Sequence, residues 1–377
     1  MTVQIDADFP GGNIIHERTD GDDVFVRQDI RDTEGWWFYW CFRVRGAAGR
    51  ELTFHFTDGD VVGVRGPAVS LDGGGSWSWL GRDVVESESF RYRFPDGADE
   101  VRFSFGMPYL EEDLHAFLSA HEDSPHLRRE TLCTTRKGRT TERLHVGRLD
   151  GEPLCRVLVT CRHHCCEMMA SYSLEGLMEE VLVGEEAGPW LRENVEFLII
   201  PFVDKDGVQD GDQGKNRKPW DHNRDYLGES IYPATAAIRR LAPQWGRGRL
   251  RVTFDLHCPW IRGEHNEVIY LVGRPLARIW RQQQEFGRIL EEVQQGPLPY
   301  RAADNLPFGE AWNTGGNYSQ GWGFSLWGSG IPGVRLGSAM EIPYANAAGA
   351  EVNAQTARAF GHDLARGLCR YLQTTED

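Results

Sequence analysis

Lysine is scarce in this 377-residue chain: Lys137, Lys205, Lys215 and Lys218 are the only ones among 41 basic side chains. Against 56 acidic side chains the formal charge is −15, and a field of that sign repels nucleic acid and anionic membrane surfaces as general partners. Long apolar runs are missing too. The longest, 195–203, is interrupted by Glu196 and falls far short of the roughly 20 residues that span a bilayer. The start, Met1-Thr2-Val3-Gln4-Ile5-Asp6, has neither the basic nor the apolar region of a secretory signal, so a cytoplasmic location is expected. The eight cysteines are too few for a disulfide scaffold in a chain of this length. Three of them, Cys161, Cys165 and Cys166, crowd around His163 and His164, which suits reduced thiols in a cytosolic enzyme.

What is present is a globular composition, 40% hydrophobic and 26% charged, at a length that favours two domains or one large unit with an appendage. From 36 to 105 the pattern alternates with period two: Leu52, Phe54 and Phe56 against Glu51, Thr53 and His55, then Val101, Phe103 and Phe105 against Arg102 and Ser104. Turn clusters separate these half-buried strands and no run supplies a crossover helix, so residues 1–106 read as an antiparallel β-sandwich domain. The run Trp36-Trp37-Phe38-Tyr39-Trp40 is expected to be a central strand whose alternate rings fill two packed faces, the other reading being an exposed sugar-binding platform.

Residues 107–130 form a connecting segment with a short amphipathic helix, and 131–377 have the texture of an α/β catalytic domain. Strands are expected at 155–161, 195–203, 250–256, 268–272 and 333–342, with helices at 167–182, 234–241, 276–293 and near the C-terminus.

His164 and Glu167 lie three residues apart where the strand 155–161 gives way to the helix from 167, and His257 follows the strand 250–256. Strand ends of open α/β sheets are where ligand sites form. Two histidines and a glutamate leave one position open to water, the donor set of a catalytic zinc. His163 is the alternative ligand, at a four-residue offset that suits the motif less well. Cys165 and Cys166 are read as packing residues.

Further along, Asp206-Gly207-Val208 is followed by the pair Asn223-Arg224, downstream of His164-x-x-Glu167 and upstream of Asp255-Leu256-His257. This arrangement resembles the zinc carboxypeptidase family. The sandwich ahead of it, with Asp8-Phe9, Gly12-Asn13, the tryptophan-rich run, Pro108-Tyr109 and Leu132-Cys133-Thr134, is similar to the cytosolic carboxypeptidase branch. The resemblance implies a mixed-sheet α/β catalytic domain behind an antiparallel β-sandwich, holding one zinc per chain through His164, Glu167 and His257.

It also implies roles for other residues. Asn223 and Arg224 would hold the substrate's terminal carboxylate, Asp221 would orient His164, and Glu341 would be the general base. Arg217 is the implied oxyanion cation, with Lys215 or Lys218 as alternatives because only five residues separate Arg217 from Asn223. Tyr318, in the Gly-rich segment 315–321, would sit on a mobile loop over the substrate, or else is a packing tyrosine. The expected activity is zinc-dependent hydrolysis of the C-terminal peptide bond of peptides or proteins. The alternatives are a zinc amidohydrolase of small acylated amino acids and a non-catalytic, peptidase-like binding protein.

Overall fold

The computed structural model describes residues 3–374; Met1, Thr2 and 375–377, the extremities of the two assigned regions, lie outside the described residues. Ten strands come first: β1 (Gln4–Asp6), β2 (Ile15–Asp20), β3 (Asp23–Arg27), β4 (Cys41–Arg45), β5 (Glu51–Phe56), β6 (Ala68–Ser70), β7 (Ser78–Trp79), β8 (Val85–Glu86), β9 (Ser89–Arg93) and β10 (Glu100–Ser104). They form two five-stranded sheets, ordered β1-β4-β10-β6-β7 and β2-β3-β5-β9-β8. Alternation does the work. Phe42 of β4 meets Phe54 of β5 at 5.4 Å between ring centroids, and Phe103 of β10 meets Phe90 of β9 at 5.3 Å, so aromatic rings from both sheets fill the layer between them.

Two details differ from expectation. The β3–β5 pair is parallel, because the chain between them crosses to the other sheet through β4. The aromatic run is an extended lead-in to β4 rather than a strand of its own. Phe38, Tyr39 and Trp40 of this run are buried, whereas Trp36 and Trp37 remain half-exposed and meet Trp260 at 5.5 and 4.8 Å.

The remainder continues with α1 (Glu111–Ala120), β11 (Leu127–Thr134), β12 (Thr140–Gly147), β13 (Cys155–Cys161), α2 (Met169–Val183), α3 (Gly188–Asn194), β14 (Val195–Ile200), α4 (Lys205–Asp210), α5 (Pro233–Gly246), β15 (Leu250–His257), β16 (Tyr270–Val272), α6 (Ala277–Val293), α7 (Phe324–Ser329), β17 (Leu336–Glu341) and α8 (Ala354–Thr374). Seven strands make one mixed sheet, β11-β12-β14-β13-β15-β17-β16. Its middle is parallel and both flanks are antiparallel. Strand β11 begins at Leu127, inside the segment expected to be a connection.

Successive residues of β13 face opposite layers. Val157 and Val159 pack with α2, α6 and α8, and Leu158 packs with α5 and α7. From β13 the chain moves to β14 on one side and then to β15 on the other. That reversal of direction opens a crevice at the carboxyl ends of β13 and β15, where α/β sheets bind ligands.

Helices α2 and α8 approach closely through glycines. A Cβ on Gly176 would stand 2.0 Å from the Arg358 carbonyl oxygen, and one on Gly361 would stand 2.1 Å from that of Ser173. Gly361→Ala therefore pushes backbone against backbone. We expect it to lower stability by roughly 1–3 kcal/mol despite alanine's better helix propensity, measured as a fall in the urea midpoint.

Candidate metal centre and substrate cleft

Strand β13 ends at Cys161, and the next residue, Arg162, turns the chain with φ of 60°. Its buried guanidinium holds the turn from 163 to 171 together: Nε donates to the Cys165 carbonyl at 2.9 Å, and Nη1 donates to the Tyr109 carbonyl at 2.9 Å and the Ser171 hydroxyl at 3.1 Å. Within this turn the Glu167 N–H donates to the His164 carbonyl at 3.2 Å. Glu167 thus lies just ahead of α2 rather than inside its first turn.

On the neighbouring strands, His257 ends β15 and Glu341 ends β17, and the two are in register. Paired residues of adjacent strands project to one face, so the imidazole and the carboxylate share the crevice.

The fully enclosed Glu167 carboxylate is the centre of the arrangement. His164 Nδ1 lies 2.9 Å from its Oε1, His257 Nδ1 lies 2.6 Å from its Oε2, and the Lys215 ammonium lies 2.9 Å from Oε1. Although burial opposes ionisation, His164, Lys215 and His257 hold Glu167 well below the usual carboxylate range. The other ring nitrogens face outward to carboxylates: His257 Nε2 is 2.6 Å from Asp255, and His164 Nε2 is 3.7 Å from Asp221. Burial, reinforced by the charge of Glu167 and outweighing the pull of His257 and Lys215, raises the pKa of Glu341.

Donor atoms of His164, Glu167 and His257 all lie within 4.8 Å of one another. Two imidazoles presenting one nitrogen inward, each backed by a carboxylate at the other, fit a catalytic metal. The alternative grouping of His163, Asp255 and His257 fits less well. His163 spends both nitrogens at 2.8 Å, on Asp255 and on the Tyr226 hydroxyl. A third grouping, Glu111, His115 and Glu142, is already neutralised by Lys205 and Arg129. Cys165 donates to the Asp212 carbonyl and Cys166 lies beside Tyr344, with burial pushing the Cys166 thiol up to about 12, so neither offers a thiolate.

A cavity of about 380 Å³ opens over this centre. His164, Asp221, Asn223, Arg224, His257, Tyr318 and Glu341 line it, together with Lys215, Trp37 and Arg274. The Asn223 carbonyl Oδ1 accepts from the Phe324 N–H at 2.9 Å, and Arg224 and Arg274 flank the Tyr318 ring at 5.3 and 5.7 Å. The Tyr318 hydroxyl donates to Asn313 at 3.0 Å and accepts from Arg274 at 3.2 Å.

Arg217 is not at the cleft, which corrects its assignment as the oxyanion cation. Its guanidinium is consumed by three carboxylates: Asp32 at 2.9 Å, Asp204 at 2.5 Å and Asp212 at 3.0 Å. Lys215 stands at the cleft instead, while Lys218 is exposed and paired with Glu34. Arg274 was missed altogether. It lies two residues past β16, which ends at Val272 and runs antiparallel to β17, and no motif surrounds it.

No family model matches the chain. The architecture is that of metallo-carboxypeptidases. A metallo-carboxypeptidase from Burkholderia cenocepacia superposes with a TM-score of 0.82 at 21% identity, covering 99% of this chain and 100% of that one. One from Pseudomonas aeruginosa, in complex with (2-guanidinoethylmercapto)succinic acid, gives 0.79 at 20% identity, covering 98% and 99%.

By sequence, the chain is similar to cytosolic carboxypeptidases. It is 27% identical to human cytosolic carboxypeptidase 4 over 237 residues, 56% of this chain and 21% of that protein. It is 23% identical to Caenorhabditis elegans cytosolic carboxypeptidase 6 over 268 residues, 63% and 57% respectively. The chain thus spans about a fifth of the human relative's length. No helix of the described residues is long and apolar enough to cross a membrane.

The donor geometry predicts about one bound divalent metal ion per chain in protein purified without chelator. His164→Ala and His257→Ala should each lose it, and Cys166→Ala should keep it, as read by elemental analysis.

Proposed function

We propose that the protein is a zinc-dependent metallocarboxypeptidase that removes the C-terminal residue of peptide or protein substrates. The observation that carries this reading is the in-register ending of β15 and β17, which sets Glu341 beside His257 in a cavity that also holds Arg224. His164, Glu167 and His257 would hold the zinc, which would supply Lewis-acid polarisation of the scissile carbonyl and a lowered pKa for the attacking water.

The chain's own residues do the rest. Arg224, with Asn223 beside it, binds the terminal carboxylate, a match between a planar donor fork and two acceptor oxygens. Glu341 accepts the proton of the attacking water as oxygen adds to the carbonyl carbon, then passes it to the departing nitrogen as the C–N bond breaks. Its raised pKa makes the Glu341 carboxylate a stronger base for the first half of that exchange. Asp221 and Asp255 orient the two imidazoles, and Tyr318 closes the side of the pocket where the last residue sits.

Arg274 defines the substrate class further. It is buried, its Nε has no hydrogen-bond partner among the described residues, and it lines the cavity together with Tyr318 and Arg224. Two guanidinium groups about one ring provide for two carboxylates, one on the backbone and one on the side chain of the last residue. An unpaired buried donor costs about 1–3 kcal/mol, which a substrate carboxylate recovers.

Two outcomes are expected. Glu341→Gln retains zinc and lowers kcat by roughly 10²- to 10⁴-fold, whereas wild type cleaves free but not C-terminally amidated peptides. Equal cleavage of both would instead favour an amidohydrolase or endopeptidase. Among peptides that differ only in the last residue, glutamate should be preferred to lysine, and Arg274→Met should erase that preference, as measured by the ratio of kcat/KM values.

A further inference from the structure

Oxyanion stabilisation in such a hydrolysis needs a cation aimed into the cleft, and Arg217 is spent elsewhere. Of the cations that line the cavity, Arg224 and Arg274 lie about Tyr318, and Lys215 is the one against Glu167. Its ammonium lies against Glu167, stands 5.2 Å from the Trp37 ring centroid, and faces the cavity it shares with Glu341.

The loop that carries Lys215 is held by the β-sandwich. The two carboxylate oxygens of Asp32 accept three donors: the Gln213 N–H at 2.9 Å, the Gly214 N–H at 2.8 Å and Arg217 Nε at 2.9 Å. Asn13 donates to the Gly211 carbonyl at 2.7 Å, the Thr33 hydroxyl donates to the Lys215 carbonyl at 2.7 Å, and the Glu34 N–H donates to the Asn216 carbonyl at 3.1 Å. The Gln213 amide bridges the Tyr39 N–H and carbonyl and the Asp29 carbonyl.

On its other side this loop touches the ligand turn itself. Gly214 has φ of 75°, and a Cβ there would stand 2.5 Å from the Cys165 nitrogen. The loop is therefore wedged between the sandwich and the residues around His164.

Resting on the carboxypeptidase reading above, we propose that Lys215 is the catalytic residue that stabilises the oxyanion and that Asp32, from the β-sandwich, is the residue that positions it. The ammonium donates a hydrogen bond to the carbonyl oxygen as negative charge accumulates and keeps its own proton throughout. Glu341 alone moves the proton. The sandwich is on this account a working part of the cleft, not an appendage to it.

The test uses the full chain with zinc bound, a peptide ending in glutamate, and a phosphonate isostere of that peptide whose tetrahedral centre mimics the oxyanion. Lys215→Met should retain its zinc and its KM within a few-fold, lose roughly 10²- to 10³-fold in kcat, and bind the phosphonate weaker by a similar factor. Lys215→Arg should restore part of the loss. Asp32→Asn should lower kcat in the presence of Lys215 but cost nothing further when combined with Lys215→Met, because the two act through one interaction.

Thr33→Val, which removes one hydrogen bond to the Lys215 carbonyl, should show the same dependence and serves if Asp32→Asn does not fold. A merely structural Asp32 would lower the thermal midpoint and multiply its kcat effect onto Lys215→Met, which overturns the positioning role. Near wild-type kcat in Lys215→Met, or a zinc loss fully reversed by excess zinc, overturns the catalytic role while the carboxypeptidase reading stands. A wild type that neither cleaves the peptide nor binds the phosphonate removes both.

Discussion

A carboxylate shut away from solvent is costly unless compensating groups surround it, and Glu167 is such a carboxylate. Its partners come from three separate stretches of chain: His164 from its own turn, His257 from the end of β15, and Lys215 from the loop before Asn223. Each partner in turn answers to a further acid, His164 to Asp221, His257 to Asp255, and Lys215 to Glu341 as well as Glu167. Charge alternates outward from one buried group. The ends of β13, β15 and β17 must therefore stay level, since a one-residue slip in any of them would turn its terminal side chain to the opposite face.

The same logic joins the two halves of the molecule. Beyond the Asp32 contacts, Arg65 of the sandwich segment donates to the Ala345 carbonyl at 2.9 Å, Trp79 Nε1 donates to the Val352 carbonyl at 2.8 Å, and Arg262 reaches back to the Val62 carbonyl at 2.6 Å. Phe105 and Tyr344 pack edge-on at 4.6 Å. Trp37 and Trp260, one from each half, form a wall of the cleft. In a chain of net charge −15 the cavity lining sets Lys215, Arg224 and Arg274 against Asp221 and Glu341.

Local features were legible in the sequence wherever one element determined them. The three-residue spacing of His164 and Glu167 at a strand end, and the alternation through Leu52, Phe54 and Phe56, carry their meaning within a few residues. The polar hairpin of β11 and β12 was not legible, because β11 is an edge strand whose Arg128, Arg129 and Glu130 break the apolar pattern. The parallel β3–β5 pair depends on where the intervening chain goes. Arg162 looked like an ordinary basic residue after a strand, and only its left-handed backbone and buried donors reveal that it builds the turn carrying His164 and Glu167. Which of Arg217 and Lys215 lines the cavity is not decided by local spacing. What decides is Asp32, some 180 residues upstream, together with Asp204 and Asp212.

That division between the two cations has a chemical basis, which returns to the scarcity of lysine. A guanidinium offers five donors in a rigid plane and suits a static junction; Arg217 satisfies three carboxylates, and Arg162 satisfies two carbonyls and a hydroxyl, each from a single head group. An ammonium is a compact point charge on a flexible stem. Such a group sits between the Trp37 face and Glu167 at the edge of the cavity. Of the four lysines in the chain Lys215 is the one that lines this cavity, while Arg162 and Arg217 are fixed in the frame around it.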